Sequence, residues 1–137
     1  CLSRGLGDVY KRQNLDLSKG NYEELEFQFS SFVGCNFTQS SWNKSHLLFS
    51  NLQNTMLKNT KMEKMKIFDT DFSGATLEQV DFAGAKIKHV SFAGAKLIQV
   101  DFSKVLLAEE INFQDAQIVD CKFPEEVGSG LLYHENR

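Results

Sequence analysis

Three aspartates are the first residues in this 137-residue chain with the look of chemistry about them. Asp71, Asp81 and Asp101 recur at regular intervals, and paired carboxylates are what acid–base catalysis needs, one to hold a proton and one to accept it. Three histidines, His46, His89 and His134, are the other candidates for proton transfer or metal ligation. Their separations match no ligand spacing, so no metal site and no cofactor are expected. Serine and threonine are plentiful, but neither a nucleophile elbow nor a Ser–His pairing is visible. A basic run of Lys58, Lys61, Lys64 and Lys66 around Glu63 offers a patch to an acidic partner, without the interleaved aromatics that single-stranded nucleic acid requires. Whether any of these groups acts depends on the elements that carry them.

Those elements follow a period of five. Cutting the chain every five residues from Leu15 puts Leu17, Tyr22, Phe27, Phe32, Phe37, Trp42, Leu47, Leu52, Leu57, Met62 and Ile67 in the third slot. Phe72, Leu77, Phe82, Ile87, Phe92, Leu97, Phe102 and Leu107 continue the series. The phase then slips by one residue around Glu109 and Glu110 and resumes with Phe113, Ile118 and Phe123. Every third slot is apolar in a chain that is 42% hydrophobic, and nine of its twelve Phe fall there. In a helix five residues advance a net rotation of about 140°, which smears the apolar positions around the circumference. In a flat strand an odd period alternates them between opposite faces. A chain that turns a corner of about 90° after each short extended segment escapes both problems, and four units then close a square coil of about 20 residues.

The other slots agree. The first slot holds small or β-branched residues such as Cys35, Ser40, Thr70, Ala75 and Val80, suited to a second inward position. The second, fourth and fifth collect the charges, including Asp71, Lys86, Lys88 and His89, and are expected to face solvent. Gly74, Gly84 and Gly94 occupy the fifth slot, where a tight corner needs positive φ or no Cβ. Between Phe72 and Leu107 the third slot alternates Phe with Leu or Ile, which predicts ladders of Phe72 over Phe92 and Phe82 over Phe102, spaced by about 4.8 Å. Four rings in one layer would overfill the axis. Cys35 and Cys121 would lie about 20 Å apart by the same coil spacing. A disulfide spans about 7 Å between Cα atoms, so both are expected as buried free thiols, compatible with a reducing compartment.

Units such as "TDFSG", "VDFAG", "VSFAG", "CNFTQ" and "SNLQN" resemble the pentapeptide-repeat family, most closely between Thr70 and Ser103 and more loosely between Asn43 and Lys66. The resemblance implies an all-β fold, a right-handed quadrilateral β-helix of about five coils, with Phe72, Leu77, Phe82, Ile87, Phe92, Leu97 and Phe102 as its axial core. The expected organisation is a leader over 1–14, the β-helix over 15–123 and a tail over 124–137 that caps the open end. The leader "CLSRGLGDVYKRQ" lacks a starting Met and looks like translated adaptor or vector sequence. The true N-terminus is accordingly read as missing, and the cytoplasm is the expected location.

Within this scheme Asp71, Asp81 and Asp101 fill a slot the family gives to Asp or Asn, and no catalytic residue is expected. A net charge of −3 favours neither direct nucleic-acid binding nor an acidic tail, and no apolar run of about 18 residues predicts a membrane-spanning helix. The partner is expected to be a protein, with Glu109 and Glu110 at the slip as candidate contacts and a homodimer through a solenoid end as the candidate assembly. The favoured function is a non-enzymatic structural or interaction module. The alternative rests on acids between Asp101 and Glu126, opposed by Lys104 and Lys122 alone. Some members of the family are held to mimic DNA at type II topoisomerases, giving protection against quinolones or toxins. In the tail, Pro124 leaves the repeat, Gly128-Ser129-Gly130 reads as a link, and Leu131, Leu132 and Tyr133 are expected to fold back over the end.

Overall fold

A corner at every fifth residue demands a backbone conformation that most residues avoid. In the computed structural model, which describes residues 10–124 and 133–135, every fifth residue from Asn14 to Gln99 has positive φ, between 52° and 76°. Glycine takes that conformation freely, and Asn, Asp and other polar residues accept it better than apolar ones. At Gly74, φ is 72°, and a Cβ would stand 2.2 Å from Oδ1 of Asn54 in the coil below. With glycine there, the Asn54 amide occupies the space that a Cβ would take.

Between corners the chain extends as β1 (Tyr10–Lys11), β2 (Glu26–Gln28), β3 (Ser30–Ser31), β4 (His46–Leu48), β5 (Met56–Lys58) and β6 (Lys66–Asp71). It continues as β7 (Thr76–Glu78), β8 (Lys86–Ser91), β9 (Lys96–Ile98), β10 (Leu107–Phe113), β11 (Gln117–Val119) and β12 (Tyr133–Glu135). All pairings are parallel. The sheet β12-β10-β8-β6-β4-β2 forms one side and bends through the corners at Asp69, His89 and Glu110 onto the next, where β12 pairs; the side opposite the first is β11-β9-β7-β5, and β1 pairs with β3. Single rungs such as Asn51↔Asp71 and Asp81↔Asp101 complete the remaining two sides. The result is an all-β quadrilateral β-helix of about five turns. Among the described residues no helix is long and apolar enough to cross a membrane.

The axis is filled without gaps in polarity. Phe72, Leu77, Phe82, Ile87, Phe92, Leu97 and Phe102 are all at most 3% exposed. Phe72 stacks on Phe92 with centroids 5.2 Å apart, and Phe82 on Phe102 at 5.0 Å. The ladders extend to Phe113 and Phe123, each at 5.5 Å from the ring below. The N-terminal coils contradict the expectation that four rings overfill a layer. Phe27, Phe32, Phe37 and Trp42 line four successive sides, and they fit because neighbours tilt or meet edge to face at 5.0–6.1 Å rather than stacking. First-slot hydroxyls are buried but satisfied. Ser40 and Ser45 donate to the carbonyls of Phe37 and Trp42 at 2.6 Å, and Thr55 to that of Leu52 at 2.8 Å. Cys35 is a buried free thiol that donates to the Arg12 carbonyl, whereas Cys121 is free and only half-buried. The rung Asp101↔Lys122 is the last on its side among the described residues, so less chain covers Cys121.

Two boundaries fall elsewhere than the sequence pattern places them. The slip lies at Leu106, not at Glu109–Glu110: Lys86 pairs with Leu107 and Ile87 with Ala108, one residue beyond the regular register. Leu106 is pushed outward and is 71% exposed, while Ala108 rather than Leu107 takes the axial slot. Expelling Leu106 at the corner side keeps the rungs Glu109↔Lys88 and Ile111↔Val90 intact. The coil also starts ahead of residue 15. Tyr10 and Lys11 pair with Ser30 and Ser31, the Asn14 amide donates to the Val33 carbonyl, and the Arg12 guanidinium lies 5.9 Å above the Phe32 ring. At the other end the backbone of Tyr133–Glu135 pairs with Ile111–Phe113. Cys1 with the rest of residues 1–9, Glu125 and Glu126, the Gly128-Ser129-Gly130 link, and Leu131 and Leu132 lie outside the described residues.

Two measurements check these assignments. Phe82→Ala is expected to lose about 3–5 kcal/mol in urea unfolding, through lost transfer energy and an unfilled axial site. Deleting Leu106 restores the five-residue spacing from Phe102 through Ala108 to Phe113, so its melting temperature should stay within a few degrees of the parent. Deleting Glu110 instead throws Phe113 off the axis and should lower the melting temperature by about 10 °C or more.

Candidate interaction surface

The aspartates have a structural occupation. Oδ1 of Asp71 accepts from the Ser73 amide at 2.8 Å and from its hydroxyl at 2.5 Å. Asp101 does the same with Ser103 at 2.8 and 2.6 Å, and Asp81 accepts from the Ala83 amide at 2.9 Å. Asn36, Asn51 and Asn112 make the equivalent bond to the amide two residues on. Each is a side-chain turn that braces the corner ahead of it, which is why Asp and Asn share the slot. The bond is to the backbone amide, so it forms whether Ser, Thr, Ala or Gln follows, and the outward position of these residues is all that the five-residue pattern shows. For Asp101, burial pushes the carboxyl up, but the two Ser103 bonds with Lys122 and Lys104 nearby outweigh it and hold the group below its ordinary value.

The histidines and lysines scatter. His46 sits outward on β4, between Glu26 and Lys66 in register. His89 occupies a corner, with Nδ1 3.3 Å from Oδ1 of Asp69 and Nε2 against a carboxylate oxygen of Glu110. With both ring nitrogens engaged by acids, neither is left to draw a proton from a nucleophile. His134 pairs through its backbone with Asn112. Lys58 reaches Glu78 at 3.9 Å on one side, Lys61 stands in the Ser41–Asp81 column of another, and Lys66 lies over the Phe68 ring at 5.7 Å on a third. Among the described residues no cluster of His, Cys, Asp and Glu could hold a metal ion.

The acids near the C-terminal end also divide. Asp101 lies in a column between Asp81 and Lys122, Glu109 faces Lys88 at 3.9 Å, and Glu110 is at the His89 corner. Asp115 and Asp120 occupy two further corners. No column is acidic throughout among the described residues. Glu109 and Glu110, the candidate contacts, are strand and corner residues of β10 rather than a protruding loop.

One patch has no structural occupation. Of the twelve Phe, the three outside the axial slots are Phe29, Phe49 and Phe68: the first two share one corner, and the third lies in the outward column beside it. Phe29 and Phe49 stack at 5.2 Å with planes 9° apart, 45% and 54% exposed. Phe68 follows on the next coil, where the Phe49 amide donates to its carbonyl at 3.0 Å and Leu48 is its register partner. An open groove beside the rings is lined by Ser30, Ser31, Ser50, Asn51 and Asp69. The signal was present in the sequence as Phe residues that the period leaves over, at separations of 20 and 19 residues.

A sequence model of pentapeptide repeats matches in eight copies over residues 30–64 and 67–103. The chain belongs to the pentapeptide-repeat family. Its backbone is similar to that of a trypsin-treated single-site variant of QnrB1, a plasmid-mediated fluoroquinolone resistance protein, with a TM-score of 0.62 at 16% identity over 85% of this chain and 70% of that one. A pentapeptide repeat protein from the thylakoid lumen of Arabidopsis thaliana gives 0.48 at 17% identity, over 80% of this chain and 76% of that one. Identity at this level speaks to fold alone. No curated protein sequence matches the chain. Its coil is thus the right-handed quadrilateral β-helix of pentapeptide-repeat proteins.

The depressed carboxyl of Asp101 sets a pH dependence. Its stabilising contribution is fully present above the ordinary value of 3.8 and is lost as pH falls through the lower folded-state value. Asp101→Asn keeps the corner bond but removes the titration. The stability gap between the two proteins, read by urea unfolding, should therefore be constant at neutral pH and change only below about pH 4.

Proposed function

We propose that this pentapeptide-repeat chain is a non-catalytic protein-interaction module that presents the β2-β4-β6 side and its Phe29–Phe49 corner to a protein partner. The observation that carries this reading is the exposed Phe29–Phe49 stack at that corner, with Phe68 in the outward column beside it. Phe29 and Phe49 have φ of 53° and 52°, a conformation in which every other non-glycine residue among those described is polar or charged. A bulky apolar side chain there is strained, and at 45% and 54% exposed each ring gains far less from burial than an axial one. Exposed apolar groups gathered within a polar rim mark surfaces that meet other molecules. The catalytic candidates support the same reading from the other direction, because the aspartates brace corners and the buried hydroxyls bond carbonyls.

The test is retention from cell extract on immobilised protein. The parent and an opposite-side variant, Lys58→Ala with Glu78→Ala, are expected to retain the same proteins, and Phe29→Asn with Phe49→Asn and Phe68→Ser to lose them. Identical retention by all three would overturn the choice of face. The choice also predicts that quinolone inhibition of gyrase supercoiling is unchanged by the protein at micromolar concentration; protection would instead favour the DNA-mimicking role.

A further inference from the structure

Beside the aromatic corner runs a column whose charge changes sign along the solenoid axis. Glu26, His46, Lys66 and Lys86 are in register on β2, β4, β6 and β8, an acid, an imidazole and two bases over four successive coils. The neighbouring outward column on the same strands is Gln28, Leu48 and Phe68, and the corner beyond it carries Phe29 and Phe49. The apolar groups are thus centred on the coil of β4, with an acid one coil before it and a base one coil after it.

We propose that this side is an isologous interface with a second copy of the chain, resting on the interaction-module reading and naming its partner. A two-fold axis lying along β4 turns the solenoid end over end while leaving each column opposite itself. Leu48 and Phe49 of one copy then face Leu48 and Phe49 of the other. Phe68 of each copy, on the coil after β4, lies over the coil that carries Phe29 in its neighbour. Glu26 is brought opposite Lys66 at both ends of the patch, so the sign change that would be arbitrary for an unrelated partner becomes complementary for a copy. Turning the second copy about the solenoid axis instead would exchange the two columns, setting Glu26 opposite Gln28 and Lys66 opposite Phe68, so that neither charge meets its opposite across the interface. The end-over-end arrangement also differs from stacking through a solenoid end, because the coils touch side to side and both ends stay free.

Sedimentation velocity of the full chain across the micromolar range reads the assembly. The parent is expected to shift from monomer to dimer with rising concentration. Phe49→Asn should stay monomeric while melting at the same temperature or higher, because Asn accepts the left-handed corner better than Phe. Phe68→Ser, which leaves the corner untouched, should also stay monomeric, so the result does not hang on one variant. Glu26→Lys alone and Lys66→Glu alone should each weaken the dimer about tenfold, since each sets like charges at both ends. An equimolar mixture of those two single variants should restore it. In the mixed dimer the two substituted positions face each other with opposite charges at one end, and the unaltered Lys66 and Glu26 face each other at the other. A parent that remains monomeric throughout overturns the proposal, as does a dimer that Phe49→Asn and Phe68→Ser leave intact or a mixture no tighter than either variant alone. Extract retention is read with dilute protein and scores other partners separately, so a monomeric parent with face-dependent retention would sink the dimer and leave the module standing.

Discussion

The left-handed corner is the constraint on which the rest of this fold depends. Each coil closes because every fifth residue turns with positive φ, and each turn exposes the next three residues as a short extended side. A side of three residues buries one large side chain on the axis and leaves its two flanking residues outward. The neighbouring coil must then repeat the same step in the same register, because an offset of one residue would exchange inward for outward positions. The corner slot therefore selects for Gly or polar residues, and the slot three before it for Asp or Asn, whose side chain holds the following amide. Gly74 above Asn54 shows how local this selection becomes, since the side chain of one corner reaches into the Cβ space of the next coil.

Axial packing answers to a looser rule than corner geometry. From Phe72 onward two facing sides carry stacked rings and the other two carry Leu or Ile, a regular solution to filling a narrow square. The N-terminal coils reach the same burial with rings on four sides in succession, by tilting each against its neighbours. Both arrangements bury their side chains almost completely, so ring count per coil is not what limits the axis. Orientation is, because edge-to-face contacts let rings interlock where parallel stacks would collide. The same tolerance explains Ala108, a small axial residue that is accepted where the register slips.

The coil, its period and its axial residues were legible in the sequence because five is incompatible with either common secondary structure and the apolar slot never fails. The slip was legible only to within a few residues. Leu106, Leu107 and Ala108 are all apolar, and a pattern of hydrophobicity cannot choose which of them leaves the axis. Backbone pairing does choose, since expelling Leu106 preserves every rung from Leu107 onward. The bracing role of the aspartates was missed for a related reason: a bond to an amide two residues away leaves no long-range trace in composition. The aromatic corner was missed because its members follow the 20-residue coil rather than the five-residue unit. Phe29, Phe49 and Phe68 become one feature only when the coil is wound.

A solenoid of this kind concentrates its freedom to vary in the outward slots. Inward slots are fixed by packing, corners by φ, and the bracing slot by its hydrogen bond wherever it carries Asp or Asn, so the slot after each axial residue, an unbraced slot before it and the occasional corner are what stay open to other demands. The informative residues are those that violate a rule of the coil without repair nearby. Lys88 facing Glu109 is an ordinary pair of opposite charge, and His89 lies within hydrogen-bond reach of Asp69 and Glu110 in the coils on either side. Phe29 and Phe49 are different, because a polar residue in either place would relieve strain and keep the coil. Their stack offsets part of that strain within the chain, and in the proposed interface the rings gain further contacts outside it. The acidic-to-basic order of Glu26, His46 and Lys66 beside them narrows that contact to a surface with the reverse order at the same spacing, and a second copy turned end over end supplies one.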